Sequence, residues 1–359
     1  MKKRVILGMS GGIDSSIAAI KLQEQGLEVI GVTMKLWAGG SRCCDLKDIV
    51  NAQKLAQKLG IKHFVLDITK EFKEFVVDYF ANEYKIGKTP NPCVICNQYI
   101  KFPFLIDKLS KFDADFVATG HYVSIKEVDG ELFLSEAKDK AKTQEYFVAS
   151  IDKSFLSKII FPMAEYIKEE VKSELKKVDM GFRNDESQEV CFIDQTDSYY
   201  NFIQENYPDN QDYTGYLVDP TGKRVREVEN FMQYTIGQRR GLGVAGPVPY
   251  YVNRIDAKMR EIHIGPKELL DETTFFVQNV NMFTEKFGSV FECSVKIRYR
   301  SRAFDCSVEI LENNNAKVTL FAPTQGITPG QAAVFYMEDF VIGSGWIKEI
   351  VSKDKESAI

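Results

Sequence analysis

Two sets of residues in this chain are spaced for chemistry: a glycine and serine string near the amino terminus, and three thiols far apart in sequence. Gly8-Met9-Ser10-Gly11-Gly12-Ile13-Asp14-Ser15-Ser16 follows a short apolar run and leads straight into a helical pattern. Glycines let the backbone approach phosphate oxygens, and the N–H groups at a helix start, reinforced by the helix dipole, form an anion cradle. The Gly-Lys-Ser/Thr ending of a Walker A loop is absent, so no lysine of the loop reaches a γ-phosphate. Asp14, beside the cradle, can hold a cation or a nucleotide group. Chemistry other than γ-phosphoryl transfer is therefore expected. The plainer alternative is a glycine turn whose serines merely cap the helix.

Cys93 and Cys96 form a CxxC, and Cys191 lies 95 residues beyond Cys96. The chain has 7 cysteines, an odd number without a secretion-type start, which points to reduced thiols available for chemistry or metal. Three thiols with one open position would suit a [4Fe–4S] cluster or a zinc ion; the same thiols would also suit sulfur exchange. Cys43 and Cys44 are adjacent, point different ways and read as buried or capping residues. Cys293 and Cys306 sit in alternating segments and read as core.

The elements that must position these groups follow from apolar periodicity. Residues 4–8 and 28–36 are short β-branched runs, with a helical pattern over 15–25 between them. The alternation continues with helical 46–59, a strand over 63–68, helical 71–85 and 97–110, and a strand over 115–119. This predicts a doubly wound parallel sheet. The stretch VSIKEVDGELFLSEA alternates about Asp129-Gly130 and predicts a hairpin appended to that sheet. From about residue 196 the composition shifts to Tyr, Asn, Asp, Pro and Gly, so a boundary is placed there. The segments CSVKIRYRS, AKVTLFA and QAAVFYM, separated by turns at 313–315 and 328–330, predict a small antiparallel barrel over 274–359. Three domains follow, at 1–195, 196–273 and 274–359. A chain of 359 residues is long enough for a core in each.

Composition narrows the setting. No apolar run approaches the length of a bilayer span, and the start MKKRVILGMSGG reads as a first strand rather than a signal peptide, so a soluble, cytoplasmic protein with no membrane partner is expected. A net charge of -5 argues against a basic field over the whole molecule but leaves room for a local phosphate-binding patch. Lys296, Arg298, Arg300 and Arg302 recur at every second position of a strand-like run, which would place all four on one sheet face. Residues 234–243 (YTIGQRRGLG) put two arginines between glycines and read as a mobile cover or a further RNA contact. The tail KDKES reads as frayed.

The loop string resembles that of the pyrophosphatase-loop (PP-loop) superfamily, whose members cleave ATP between its α and β phosphates to adenylate a substrate. Adding TPNPCVICN (89–97) and SQEVCFI (187–193), the chain closely resembles the bacterial tRNA-specific 2-thiouridylases. The resemblance extends through VTMKLW (32–37), ATGHY (118–122), KTQEYF (142–147) and YTIGQRRGLG. It implies a PP-loop domain, a small central domain and a β-barrel. It also implies ATP with Mg²⁺, a tRNA read at its anticodon loop, and a sulfur-donor protein, either a relay protein or a cysteine desulfurase. By carry-over, Cys191 bears a persulfide and Cys96 is the partner nucleophile, with a disulfide between them at the end of the cycle. Gly8, Met9, Ser10, Gly11, Gly12, Ile13, Asp14 and Ser15, with Met34 and Gly120, would hold the nucleotide. Asn91, Pro92, Cys93, His121, Lys142, Thr143, Gln144, Arg298, Tyr299 and Gln331 would meet tRNA. Position 93 is often aspartate in the family and is Cys93 here, which leaves that residue's role open and makes the three-thiol cluster an alternative route to the same product. A PP-loop ligase acting on a small molecule, and a non-catalytic ATP- or RNA-binding sensor that uses the CxxC for metal, are the competing readings.

Overall fold

The computed structural model describes residues 2–37, 46–171, 190–194 and 197–351. Cys43, Cys44, the KDKES tail and Ser187-Gln188-Glu189 lie outside the described residues. The chain divides into two compact units that are not continuous in sequence. One comprises Met1–Val77, Pro92–Ser198 and Glu338–Ile342; the other comprises Asp78–Asn91, Tyr199–Met337 and Gly343–Ile359.

The first unit is built on five parallel strands, β1 (Arg4–Gly8), β2 (Glu28–Lys35), β3 (Lys62–Asp67), β4 (Phe116–Ala118) and β7 (Ile159–Ile160). Their order is β3-β2-β1-β4-β7. Strands of such a sheet are covered on both faces, which is why β1 and β2 read as continuous apolar runs. Helix α1 (Ile13–Glu24) packs Ile17, Ala18 and Leu22 against Val5, Leu7 and Val29, with Ala52 and Leu55 of α2 (Leu46–Lys58) in the same cluster. Truncating a side chain as enclosed as Leu22 would cost about 2–5 kcal/mol.

Three further helices follow in the chain. Helix α3 (69–77) ends in a π-helical turn, Lys73–Val77, and α4 (Asp78–Lys85) continues into the second unit. Helix α5 (92–107) starts five residues before the periodicity predicts. Pro92 opens it, where a missing N–H costs nothing. Its middle is again a π-helical turn, Cys96–Lys101.

The predicted hairpin is present as β5 (Val123–Val128) and β6 (Glu131–Glu136), with Asp129 and Gly130 both at positive φ as a tight two-residue turn requires. It does not extend the parallel sheet. Phe340 and Val341 pair with β6 instead, supplying an antiparallel neighbour from near the other end of the chain.

The second unit holds two sheets. Strands β8 (Gly215–Val218), β9 (Arg224–Val228), β10 (Tyr251–Asp256) and β11 (Glu261–Gly265) form one in the order β10-β11-β8-β9, preceded by a short helix, Tyr199–Asn206. Strands β12 (Glu272–Met282), β13 (Val290–Lys296), β14 (Phe304–Leu311), β15 (Asn315–Thr324), β16 (Ala332–Met337) and β17 (Phe340–Ile350) run β12-β15-β14-β13-β16-β17, and pairing of β12 with β17 closes them into the expected antiparallel barrel. Closure removes the exposed edges that an open sheet would leave.

The basic strand face is a correction. Strand β13 stops at Lys296, and 297–303 form a turn in which Ser301 bonds back to the Arg298 carbonyl through both its N–H (3.1 Å) and its hydroxyl (2.9 Å). Two-residue alternation ends there, so Arg298, Arg300 and Arg302 share no strand face. Arg298 donates to the Thr328 hydroxyl, Arg302 lies over the Phe304 ring and Lys296 over Tyr336. In the glycine-rich 234–243 stretch Gly237 N–H donates to the Val252 carbonyl and Val252 N–H donates to the Gln238 carbonyl; Arg239 and Arg240 are exposed.

Candidate active site

In a doubly wound sheet the ligand crevice opens beyond the carboxyl ends of the strands, where the chain reverses its direction of winding. Here that point falls between β1 and β4, because the chain winds from β1 outward through β2 and β3 before returning to β4. The residues at those two strand ends are Gly8, opening the glycine string, and Thr119-Gly120-His121.

The string is held open by its neighbours. Met9 N–H donates to Val32, and the Thr33 hydroxyl donates to the Met9 carbonyl at 2.8 Å. With that hydroxyl proton committed, His63 Nε2 must donate to Thr33, 2.8 Å away. Gly11 has φ +76, and a Cβ there would lie 2.4 Å from the Asp48 carbonyl oxygen, so only glycine fits. Gly12 takes the N-cap position of α1 and offers no side chain to the first N–H groups. The serines bond elsewhere: Ser15 and Ser16 hydroxyls donate to the Gly12 carbonyl at 3.1 and 2.8 Å, and Ser10 N–H donates to Ser15. The helix start is thus not capped by the serines, which leaves its first N–H groups without a side-chain acceptor, as a phosphate site demands.

Gly120 closes the crevice from the β4 side. A Cβ on it would come within 2.8 Å of Ser15 N and 2.9 Å of the Asp14 carbonyl carbon, so the two loops touch backbone to backbone. Asp14 is bound twice: the Tyr122 hydroxyl donates to Oδ1 at 3.1 Å, and Lys168 Nζ donates to Oδ2 at 3.0 Å. Tyr122 is clasped in turn by Gln144, whose side-chain oxygen accepts from Tyr122 N–H at 2.9 Å and whose N–H donates to the Tyr122 carbonyl at 2.8 Å. Thr143 is buried and bridges Ala137 N–H and the Glu145 carboxylate. Lys142 is half-buried on the same turn, and Met34 is buried near the end of β2. Gln144 and Thr143 therefore brace the loop from within.

His121 connects this crevice to the thiol-bearing helix. Its ring lies 6.1 Å from Phe102 on α5 and 6.5 Å from Phe161, while Nδ1 is 2.8 Å from the Thr119 hydroxyl. Although part of the residue reaches the surface, the ring is densely surrounded by protein. That burial, and then the charge of Lys101, push its pKa down to about 3, so the imidazole is neutral.

Cys96 opens the π-helical turn of α5 and is 4% exposed; Cys93, one turn earlier, is half-buried, as is Cys191. All three are thiols. Asn97, beside Cys96, donates to the Phe147 carbonyl at 2.9 Å and leaves its own buried Oδ1 without a partner. Phe192, next to Cys191, inserts between Trp37 and Phe72, at 6.4 and 5.9 Å. Phe75, one turn along α3 from Phe72, stacks at 6.2 Å on Tyr99, three residues from Cys96. One helix thus receives the segments of both thiols through its aromatic residues. Among the described residues no group of three or more His, Cys, Asp or Glu side chains is arranged to hold a metal ion.

The remaining sites named from sequence lie in the second unit. Asn91 ends its Asp78–Asn91 segment. Gln331 donates its side-chain amide to the Thr89 carbonyl at 2.9 Å and to the Pro90 carbonyl at 3.3 Å, fixing the turn that leads into Asn91. Arg298 folds onto the 326–328 loop, and Tyr299 is half-buried beside it. Cys293 and Cys306 are directly paired across β13 and β14, with Sγ atoms 3.7 Å apart. Their hydrogen bond, and then burial, push the Cys293 thiol up, so it stays protonated, consistent with a core role. Sequence reasoning missed Lys168 altogether: it stands in no motif, and only folding brings it to a loop 154 positions away.

Comparison with known proteins adds to this geometry. Residues 3–195 match the family model described as tRNA methyl transferase HUP domain, 200–266 the tRNA methyl transferase PRC-barrel domain, and 272–347 the aminomethyltransferase beta-barrel domain. The chain is 39% identical over 367 residues to the tRNA-specific 2-thiouridylase MnmA of Geotalea uraniireducens, covering 98% of this chain and 96% of that one. It is 40% identical to the tRNA-specific 2-thiouridylase MnmA 1 of Aliarcobacter butzleri, covering 97% and 99%. A solved 4-thiouridine synthetase–RNA complex with bound ATP aligns over 50% of this chain and 41% of that one, at 15% identity and a TM-score of 0.35. No helix among the described residues is long and apolar enough to cross a membrane.

Proposed function

The chain belongs to the tRNA-specific 2-thiouridylase family, and on that premise we propose that it uses ATP to adenylate the C2 oxygen of a tRNA wobble uridine and then replaces that oxygen with sulfur. The observation that carries this reading is the shared helix α3, on which Phe192, next to Cys191, and Tyr99, three residues from Cys96, both pack, in the unit that also contains the glycine loop.

The steps follow from the chemistry of the groups. Oxygen at C2 is a poor leaving group, so it attacks the α-phosphorus of ATP and pyrophosphate departs. The open N–H groups from Gly11 to Asp14 hold the phosphate chain, with Gly120 and Met34 flanking the adenosine. A magnesium ion, when bound, would shield phosphate charge. The terminal sulfur of a persulfide on Cys191 attacks C2 and AMP leaves with the oxygen. Cys96 thiolate then attacks the Cys191 sulfur, which breaks the S–S bond, frees 2-thiouridine and leaves a Cys96–Cys191 disulfide for an external thiol to reduce. The sulfur comes from a donor protein, either a relay protein or a desulfurase. A base in an anticodon loop leaves its stack at low cost, and Asn91, Pro92, Cys93, neutral His121 and Lys142 are the candidate contacts for it.

The experiment is a thiolation assay on unmodified tRNA with ATP and a persulfide donor, using enzyme purified anaerobically and analysed for iron, zinc and sulfide. Metal-free enzyme should turn over, while Cys191→Ser and Cys96→Ser should lose at least about a thousandfold in rate with ATP binding intact. Turnover that requires iron would replace the persulfide route with a cluster. Full activity of Cys191→Ser, or pyrophosphate release driven by a small metabolite without tRNA, would overturn the reading.

A further inference from the structure

The loop presents an electrostatic problem that its own sequence does not solve. Residues 5–20 contain no lysine or arginine, yet they include the carboxylate of Asp14 at the mouth of a phosphate cradle. The flanking cations are engaged: Arg4 bonds Glu28 and Asp113, and Lys21 bonds Glu24 at 3.0 Å while lying over Tyr166. An uncompensated carboxylate there would repel a triphosphate.

Lys168 supplies the missing charge. Its side chain is 12% exposed, its Nζ is 3.0 Å from Asp14 Oδ2, and it lies 5.6 Å above the Tyr122 ring whose hydroxyl holds the other carboxylate oxygen. Its position is built rather than incidental. Lys168 N–H donates to Asp139 Oδ2 at 3.0 Å, Asp139 Oδ1 accepts from Ala141 N–H, and Lys138 N–H donates to Ala164, so 164–168 is stitched to the 138–141 turn. That turn runs directly into Gln144, which clasps Tyr122. Both partners of Asp14 therefore hang from one network.

We propose that Lys168 is a positioning residue for nucleotide binding, acting through Asp14: it cancels the carboxylate charge and fixes its orientation so that the phosphate chain of ATP can settle on the N–H groups of the loop. The proposal rests on reading residues 8–16 as the nucleotide cradle. It distinguishes phosphates beyond the first from the nucleoside, because added negative charge is what an exposed Asp14 opposes.

The test is calorimetric titration of the full chain with ATP, AMP and inorganic pyrophosphate in a chelating buffer, so that no divalent cation masks Asp14. Lys168→Met keeps the stem and removes the charge. It should weaken ATP and pyrophosphate about tenfold and AMP by less than about threefold. Lys168→Arg should stay within about threefold of the parent for all three probes. Adding Asp14→Asn to Lys168→Met should recover most of the ATP loss, because no carboxylate is left to neutralise, whereas a merely structural lysine predicts no recovery. Equal losses for ATP and AMP, or a double variant no better than Lys168→Met, would overturn the proposal. If Lys168→Met does not fold, Lys168→Arg decides, and a tenfold loss of ATP affinity in that variant refutes it. A parent chain that binds no ATP removes the cradle reading along with the proposal; parent binding with equal losses removes the proposal alone.

Discussion

Gly120→Ala is the sharpest probe of the crevice, because its expected effect comes from backbone contacts that cannot swing aside. The added methyl would meet Ser15 N at 2.8 Å, the Asp14 carbonyl carbon at 2.9 Å and the Asp14 carbonyl oxygen at 3.1 Å. All three are closer than ordinary carbon contacts, so either the 119–121 loop or the start of α1 must shift. Overpacking of this kind costs about 1–3 kcal/mol. For a unit of this size the melting temperature should fall by roughly 2–10 °C. The same shift moves the loop N–H groups off their phosphate positions; losing one hydrogen bond to a charged oxygen costs about 1.5–3 kcal/mol, so ATP affinity should drop tenfold or more. The assay pairs thermal melting by circular dichroism with ATP titration. Gly26→Ala is the control: Gly26 has φ +82 just beyond α1, and a methyl added there would meet no atom within 4 Å, so the variant should lose about 1 kcal/mol of stability with ATP affinity unchanged. Gly120→Ala that binds ATP as the parent does would refute the assignment of this crevice to the nucleotide, whatever its melting point.

Other outcomes follow from the same geometry. Because burial, and then Lys101, hold the His121 pKa near 3 against an ordinary 6.5, the unfolded chain binds a proton between those values that the folded chain refuses; stability is intact above about pH 6.5 and declines as pH falls toward 3. His121→Asn should therefore lose less melting temperature than the parent between about pH 7 and about pH 5, measured by melts across that range. Gln331→Ala releases the carbonyls of Thr89 and Pro90 and should lower thiolation kcat/KM by roughly thirtyfold with ATP affinity unchanged, as two lost amide bonds of about 1 kcal/mol each imply. Cys306→Ser puts a hydroxyl in a fully buried barrel position and should cost about 1–3 kcal/mol in a denaturant melt; at a temperature where the variant is folded, its thiolation rate should match the parent.

Much of this protein was legible from local pattern alone. A glycine string at a strand-to-helix junction needs only short-range geometry, and alternating β-branched runs and helical periods require nothing beyond the neighbouring residues. The parallel sheet, α1, the Asp129-Gly130 turn and the antiparallel barrel are therefore where the sequence predicts them. The basic face failed for an equally local reason. Two-residue alternation carries meaning only while the strand lasts, and Ser301 ends it by bonding back to Arg298.

What the sequence could not supply is proximity between distant positions. It names Cys96 and Cys191 but says nothing about the helix their segments share; Phe72 and Phe75 of α3 meet Phe192 and Tyr99 only after the chain has folded. Thr143, Gln144 and Gln331, which the family resemblance implies meet tRNA, each have a side chain hydrogen-bonded within the protein to positions the sequence does not link to them. It leaves the glycine loop without a cation, because Lys168 is unremarkable in its own stretch and acquires a role only 3.0 Å from Asp14. Residue type and spacing determined which reactive groups this chain possesses. Long-range packing decided which of them meet, since a salt bridge or an aromatic contact depends on distances of a few ångströms that spacing along the chain does not encode.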